Sequence, residues 1–305
     1  MSECPVCGAP GAVAAHAVLA PFVAELTGLE VGRATDYLEC PDCGLGFFGL
    51  RYDDAQVERL YGAYRGPEYV RVRRRWEPWY REAVNEAYEP GSAGVAERVA
   101  FESELLAEAG LEPPLRCALD FGGDAGQFFP DVEIGRRLVV DVSERPLLAG
   151  VERIESLAAL PEAPDLVVIA HVLEHLSEPR PLLAEIRERI APGGTLYVEV
   201  PLDRPRVRRW HARPGYRRWL ALIARRRPLF VLCDFAGGVA RQFGRRIPRL
   251  AVVKESEHLN CFDRRSLRRL LESAGFEVRA ERADPNARTG GLRLGKLGMA
   301  AVAPA

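Results

Sequence analysis

Apolar and polar positions alternate in blocks along this 305-residue chain, and the clearest blocks lie between Cys117 and Pro201. Four short apolar runs, at 118–121, 138–142, 166–170 and 196–200, are bounded by Gly, Pro and Asp. Runs of that length read as strands buried on both faces. The helical or polar segments between them predict right-handed βαβ units on one parallel sheet, with ligands expected beyond the carboxyl ends of the strands. Three helices frame this pattern. One, over 95–110, points Val95, Val99, Leu105 and Leu106 inward and stops at a glycine. A second carries the stripe Leu182, Leu183, Ile186 and Ile190, and a third runs over 263–274 to Gly275. Residues 276–280 and 298–302 predict a closing antiparallel hairpin.

The first strand runs into Asp120-Phe121-Gly122-Gly123-Asp124-Ala125-Gly126, with a short helix expected from about Gln127. Glycines there let the backbone turn tightly and approach a ligand closely. Asp141 ends the next strand, 21 residues after Asp120, where a carboxylate can take both hydroxyls of a ribose. The residues alone leave open whether the ligand is a dinucleotide or another nucleoside cofactor. After the third apolar run stands His171-Val172-Leu173-Glu174-His175, which also spells the zinc signature H-x-x-E-H of inverted metallopeptidases. That chemistry needs both histidines on one helix face, whereas His171 sits at a strand end and Pro179 and Pro181 follow closely.

Composition changes the picture mainly at the two ends. Net charge is −1, with 28% charged and 48% hydrophobic residues, so there is no global pull toward nucleic acid. No apolar run reaches membrane-spanning length, and the Ala/Val-rich 11–24 lacks the basic start of a leader, so a cytoplasmic location is expected. Four of seven cysteines form two near-copies, Cys4-Pro-Val-Cys7-Gly8 and Cys40-Pro-Asp-Cys43-Gly44. Four thiolates in two CxxC turns predict a closed, structural zinc site; four incidental cysteines is the bland alternative. A run dense in Tyr, Trp and Arg follows at 61–80, readable as base-stacking but more readily as a helix that buries its aromatics and snorkels its arginines. Residues 202–256 hold 14 Arg and one Lys against Asp203, Asp234 and Glu255. An anionic-substrate cap, an acidic-lipid surface and a nucleic-acid patch compete there with a solvated insertion whose arginines pair with acids elsewhere.

Residues 117–201 resemble the class I S-adenosylmethionine (SAM)-dependent methyltransferases, in the broad bacterial group with a HVLEH segment after the fourth strand. The family's acid-x-Gly-x-Gly-x-Gly turn is matched at Asp120, Gly122 and Gly126, while Asp124 stands where the middle glycine falls. The ribbon and the Ser256-Glu257-His258-Leu259-Asn260 segment further resemble zinc-ribbon-bearing sugar C-methyltransferases. The resemblance implies an α/β fold: a doubly wound, mostly parallel, seven-stranded Rossmann-like sheet with a zinc ribbon at 1–50. A helical linker or lid at 51–114 and a cofactor domain at 115–305 with an Arg-rich helical insertion at 202–256 complete it. It implies SAM held by Asp120, Gly122, Gly123, Gly126, Gln127, Asp141, Val142 and His171, zinc held by Cys4, Cys7, Cys40 and Cys43, and His258 with Glu257 as general base and orienter. The implied acceptor is a small anionic or nucleotide-linked sugar compound. The competing reading is a catalytically silent module that binds nucleic acid or a protein partner.

Overall fold

The computed structural model describes residues 2–62, 64, 66–81, 83–143, 145–289 and 292–304. The chain forms two compact units, one of residues 1–4, 8–81 and 203–261, the other of residues 5–7, 82–202 and 262–305.

The second unit is built on seven strands: β1 (Leu115–Phe121), β2 (Ile134–Val140), β3 (Val151–Arg153), β4 (Leu166–Ala170), β5 (Thr195–Pro201), β6 (Glu277–Asp284) and β7 (Lys296–Val302). Their order across the sheet is 6-7-5-4-1-2-3. Strands β1 to β5 run parallel, and β7 pairs antiparallel with both β5 and β6. This is the expected Rossmann-like α/β sheet, and its order reverses between β1 and β4, where such sheets open a crevice at the strand ends. Every residue of β4 and β5 is buried, which is why β4 reads as an unbroken apolar run and β5 as one interrupted only by Thr195 and Glu199. The predicted hairpin is β6–β7, with Val278 opposite Ala301. Strand β3 carried no signal: it is three residues long, lies at the sheet edge and exposes Glu152 and Arg153.

Helices Ala93–Glu108, Pro179–Arg189 and Arg264–Ser273 belong to this unit. Ser92 caps the first by accepting the Val95 N–H, and Asp263 caps the third by accepting the Ser266 N–H. The helix expected from Gln127 does not form. Residues 124–128 are turns, because left-handed backbone at Asp124 and Gly126 and a proline at 130 leave too few helical residues in a row. A groove of about 720 Å³ lies there instead, lined by Val95, Val99, Gly126, Gln127 and Leu148 among others.

The first unit has its own five-stranded sheet, ordered Asn260–Cys261, Gly46–Phe48, Ala34–Glu39, Ala12–Leu19, Lys254–Glu255. Its two edge strands are joined by only residues 256–259. Five Cα steps reach at most about 18 Å, while five flat strands put their edges about 19 Å apart, so the sheet is curled. The Arg-rich segment therefore supplies the strand Lys254–Glu255 and two helices (Pro214–Ala224, Arg227–Gln242) to the same unit as Cys4, Cys40 and Cys43, rather than forming an excursion from the cofactor sheet as the sequence suggested. Phe22, Tyr37, Tyr69, Tyr216 and Phe230 fill its core. The Tyr216 hydroxyl donates to the Ala251 carbonyl at 2.7 Å and accepts the Val253 N–H at 2.9 Å. Among the described residues no helix is long and apolar enough to cross a membrane.

Candidate functional site

The turn after β1 is closed to side chains at three points. A Cβ on Gly123 would lie 2.4 Å from the Asp120 carboxylate, one on Gly122 would lie 2.5 Å from Val172, and one on Gly126 would lie 2.8 Å from Val151. Gly122 and Gly126 also have φ of 79° and 83°, which disfavours any L side chain. Asp141 begins the loop after β2 and is drawn into this turn: its Oδ2 accepts the Asp124 N–H at 2.8 Å and its Oδ1 the Ser143 N–H at 2.6 Å. The glycine turn and the distal acid thus meet at one rim of the sheet. Val142, next in the chain, exposes 71% of its surface there.

Asp124, the departure from the family pattern, has φ 53°, a left-handed conformation that Asp tolerates better than most residues. Its carboxylate accepts from Ser143 Oγ (3.0 Å), Gln127 Nε2 (3.2 Å) and Arg145 Nη1 (2.9 Å). Arg145 offsets its charge. Gln127 is a brace for the turn, accepting the Ala125 N–H and donating to the Tyr88 carbonyl. Asp120 lies beneath, buried, with Oδ2 bonded to nothing among the described residues. Burial foremost, against the pull of Arg98 and with Asp141 and Asp124 adding to it, pushes its carboxyl up to about 7. A backbone cradle that rejects side chains, a carboxylate with lone pairs to spare and an orphaned buried acceptor form a donor and acceptor set that fits a nucleoside bearing an ammonium group.

His171 has φ 59°, strained for a non-glycine residue, at the end of β4. It bridges Glu174 (Nδ1 to Oε1, 3.2 Å) and Glu199 (Nε2 to Oε1, 3.0 Å). Glu199 also faces buried Arg98 at 3.3 Å. Burial lowers the His171 pKa, but the bonds to Glu174 and Glu199 outweigh it and raise it to about 10, so the ring is an imidazolium. Residues 171–177 are turns and bends, so His171 and His175 do not share a helix face and the metallopeptidase arrangement is absent. His171→Ala is expected to cost about 3–5 kcal/mol, because it leaves buried carboxylates under-compensated. The stability that His171 adds is complete below its ordinary pKa of 6.5 and is lost as pH rises through about 10. Urea melts across that window should show a falling wild-type stability that the variant lacks, with metal content unchanged.

In the first unit, Glu257 and His258 lie on the loop between the two edge strands. The sequence paired them with each other. In the structure Nδ1 of His258 meets Oδ2 of Asp203, while Glu257 accepts from the Tyr69 hydroxyl and from Arg73 Nη1 at 3.2 Å. Asp203 was not singled out because it lies 55 residues away in the chain. His258 and Asp203 are both partly exposed, at 28% and 29%. Tyr69 is buried and the Arg73 guanidinium lies 4.2 Å from the Tyr80 ring centroid, so these members of the aromatic and arginine run pack inward. Ala63 and Arg65 of that run lie outside the described residues.

Cys4, Cys7, Cys40 and Cys43 bring their sulfurs within 4.8 Å of one another. Tetrahedral zinc with bonds of about 2.3 Å needs sulfurs about 3.8 Å apart, and the Cys4–Cys43 separation is 3.5 Å. Gly8 and Gly44 take φ of 77° and 84° and donate to the Cys4 and Cys40 carbonyls, turning the chain beneath the sulfurs as the repeated CPxCG units predicted. The donor set fits a structural zinc ion, all four positions being filled by protein. His16 is engaged elsewhere, 2.7 Å from Asp36.

The chain is 34% identical over 145 residues to trans-aconitate 2-methyltransferase of Methylobacterium radiotolerans, covering 42% of this chain and 54% of that one. It thus spans about half the length of the curated relative it matches. Among solved structures, the N-methyltransferase NodS of Bradyrhizobium japonicum aligns at 16% identity and TM-score 0.42, over 70% of this chain and 98% of that one. Its complex with S-adenosyl-L-homocysteine aligns at 13% and 0.41, over 73% and 98%. A family model described as a methyltransferase domain matches residues 93–281, well over half the chain and the whole of the glycine turn, the Asp141 loop and β4 to β5. By that match the chain belongs to the methyltransferase-domain family.

Proposed function

We propose that this protein transfers the methyl group of SAM to a small anionic or sugar-linked acceptor, in surface-glycan or natural-product synthesis. The observation that carries the reading is the meeting of the Gly122–Gly123–Gly126 turn with the Asp141 carboxylate, through the 2.8 Å bond to the Asp124 N–H. SAM, when bound, supplies an electrophilic methyl on a sulfonium, which needs alignment more than covalent help. Well-oriented reactants gain effective molarities of roughly 10⁵–10⁸ M. Asp141 would take the ribose hydroxyls, Val142 would offer an apolar face to the purine, and Asp120 would face the ammonium. A small anion as acceptor is in keeping with the trans-aconitate named for the curated relative.

Where the acceptor must lose a proton first, His258 is the proposed base, with Asp203 at its Nδ1 orienting the ring. His258→Asn should then lower kcat by about 10²–10⁴-fold and leave SAM affinity unchanged. Equal loss of both would overturn the role. The parent reading is tested by transfer of labelled methyl from SAM into extracts fractionated into sugar nucleotides, lipids and RNA. Label in a small-molecule fraction is expected. No SAM binding at millimolar concentration, with salt-sensitive binding to RNA instead, would replace the enzyme by the silent module.

A further inference from the structure

Among the described residues, six of the nine large apolar side chains that stand exposed lie between positions 222 and 250. Four of them, Leu232 (65%), Phe235 (48%), Val239 (41%) and Phe243 (70%), belong to helix Arg227–Gln242 and its C-terminal cap residue. Their spacing of three, four and four residues puts them within about 80° of arc, in a stripe about 16 Å long. The opposite face, Phe230, Asp234, Gly237 and Ala240, is the buried one. The helix is therefore apolar on both sides, and from 228 to 240 its one charged side chain, Asp234, points inward to Lys254. A helix that presents an uncharged, apolar outer face to water is missing a partner.

The charges stand at the two ends of the stripe. Arg225, Arg226 and Arg227 precede it; Arg245 and Arg246 follow it, with Arg241 in the last turn of the helix. Elsewhere surface arginines meet acids, as Arg136 meets Glu152 and Arg282 meets Glu104. Here, among the described residues, none of these six forms an ion pair, although Arg204 of the same segment meets Glu39. Arg227 donates to the Arg75 carbonyl, and Arg245 lies over the Phe243 ring at 6.0 Å. Guanidinium groups at both ends of an apolar stripe match a surface that is apolar at depth and anionic at its rim. A second copy of this chain matches poorly, since self-pairing of the stripe would bring the two sets of arginines together. Nucleic acid also matches poorly, because the middle of the face offers neither charge nor hydrogen bonds.

We infer that the outer face of helix Arg227–Gln242 is a docking surface for an anionic lipid bilayer, with Leu232, Phe235, Val239 and Phe243 entering the headgroup–acyl boundary and the terminal arginines holding phosphate headgroups. The binding is peripheral and reversible, and is independent of the methyl-transfer reading.

The test is flotation of the full-length protein with phosphatidylcholine vesicles, with and without about one-third phosphatidylglycerol. Binding is expected only to the anionic vesicles, and should weaken several-fold at about 0.5 M salt. The double variant Phe235→Ser/Phe243→Ser should bind at least about tenfold more weakly. Arg245→Glu/Arg246→Glu should weaken it comparably and keep the wild-type melting temperature. Because Phe235 also packs on the Trp79 ring, 5.3 Å between centroids, Leu232→Ser/Phe243→Ser at the two most exposed positions of the stripe should weaken binding likewise without lowering stability. Absence of enrichment on anionic vesicles overturns the inference. So does binding that survives the phenylalanine substitutions. A concentration-dependent dimer in sedimentation that those substitutions dissolve would assign the face to a second copy instead.

Discussion

Cys40→Ser is expected to reduce bound zinc from one equivalent to near none and to lower the melting temperature by about 10 °C or more. Cys40 is 3% exposed, its sulfur accepts the Cys43 N–H at 3.5 Å, and it lies in the cluster whose four sulfurs fall within 4.8 Å. A serine oxygen is a poor, mostly protonated substitute for thiolate. Structural zinc in small modules is worth about 10–16 kcal/mol in apparent binding, so losing even a third of it costs roughly 3–5 kcal/mol. At about 2–4 °C per kcal/mol for a chain of this size, that is the drop stated. The strands that follow each knuckle, Ala12–Leu19 and Gly46–Phe48, share one sheet with Lys254–Glu255 and Asn260–Cys261, so loosening the knuckles frees both edges. Metal analysis of zinc-replete preparations checks it. Cys117→Ser is the control, since Cys117 is buried in β1 and among the described residues belongs to no such cluster. Zinc retained by Cys40→Ser, or wild-type protein that takes up none, would remove the metal from the account.

What could be read from the sequence was what short-range chemistry encodes. The turn at 122–126 was legible because left-handed backbone and close approach both demand glycine, and three of them fell in five residues. The cysteine pairs were legible because a metal needs its ligands at fixed short spacing. Strands β1, β2, β4 and β5 were legible because burial in the sheet concentrates apolar residues into short runs, even where Asp120 or Glu199 interrupts them. Three features were not legible. The helix expected after the glycine turn depends on whether Asp124 adopts φ 53°, which no periodicity records. The partner of His258 is Asp203, and nothing local ties residues that far apart. The Arg-rich segment looked like an insertion because it interrupts the cofactor-sheet pattern. Its two-residue strand Lys254–Glu255 pairs with Ala12–Leu19 and gives it to the other unit, a pairing too short to leave a pattern.

Asp141→Ala should weaken SAM and S-adenosylhomocysteine by at least about 10²-fold while leaving bound zinc unchanged. In the proposed complex the carboxylate does two things at once. It ties the glycine turn to the loop after β2 through the Asp124 and Ser143 N–H groups, at 2.8 and 2.6 Å. It also keeps lone pairs for two ribose hydroxyls, since an ionised carboxylate accepts about four hydrogen bonds. Bonds to a charged acceptor are worth about 1.5–3 kcal/mol each, so losing two of them predicts roughly 10²–10⁴-fold in affinity. Asp141→Asn separates the two roles. Its amide oxygen can still accept one backbone N–H, but its nitrogen can only donate, so the turn should hold better than in the alanine variant while affinity still falls. Val142→Ala, which trims an exposed side chain, should cost only several-fold. Calorimetric titration of SAM against the three variants and wild type reads all of this directly. If all four proteins bind with equal affinity, Asp141 does not hold the nucleoside, and the meeting of turn and acid is a brace within the sheet rather than a cofactor site.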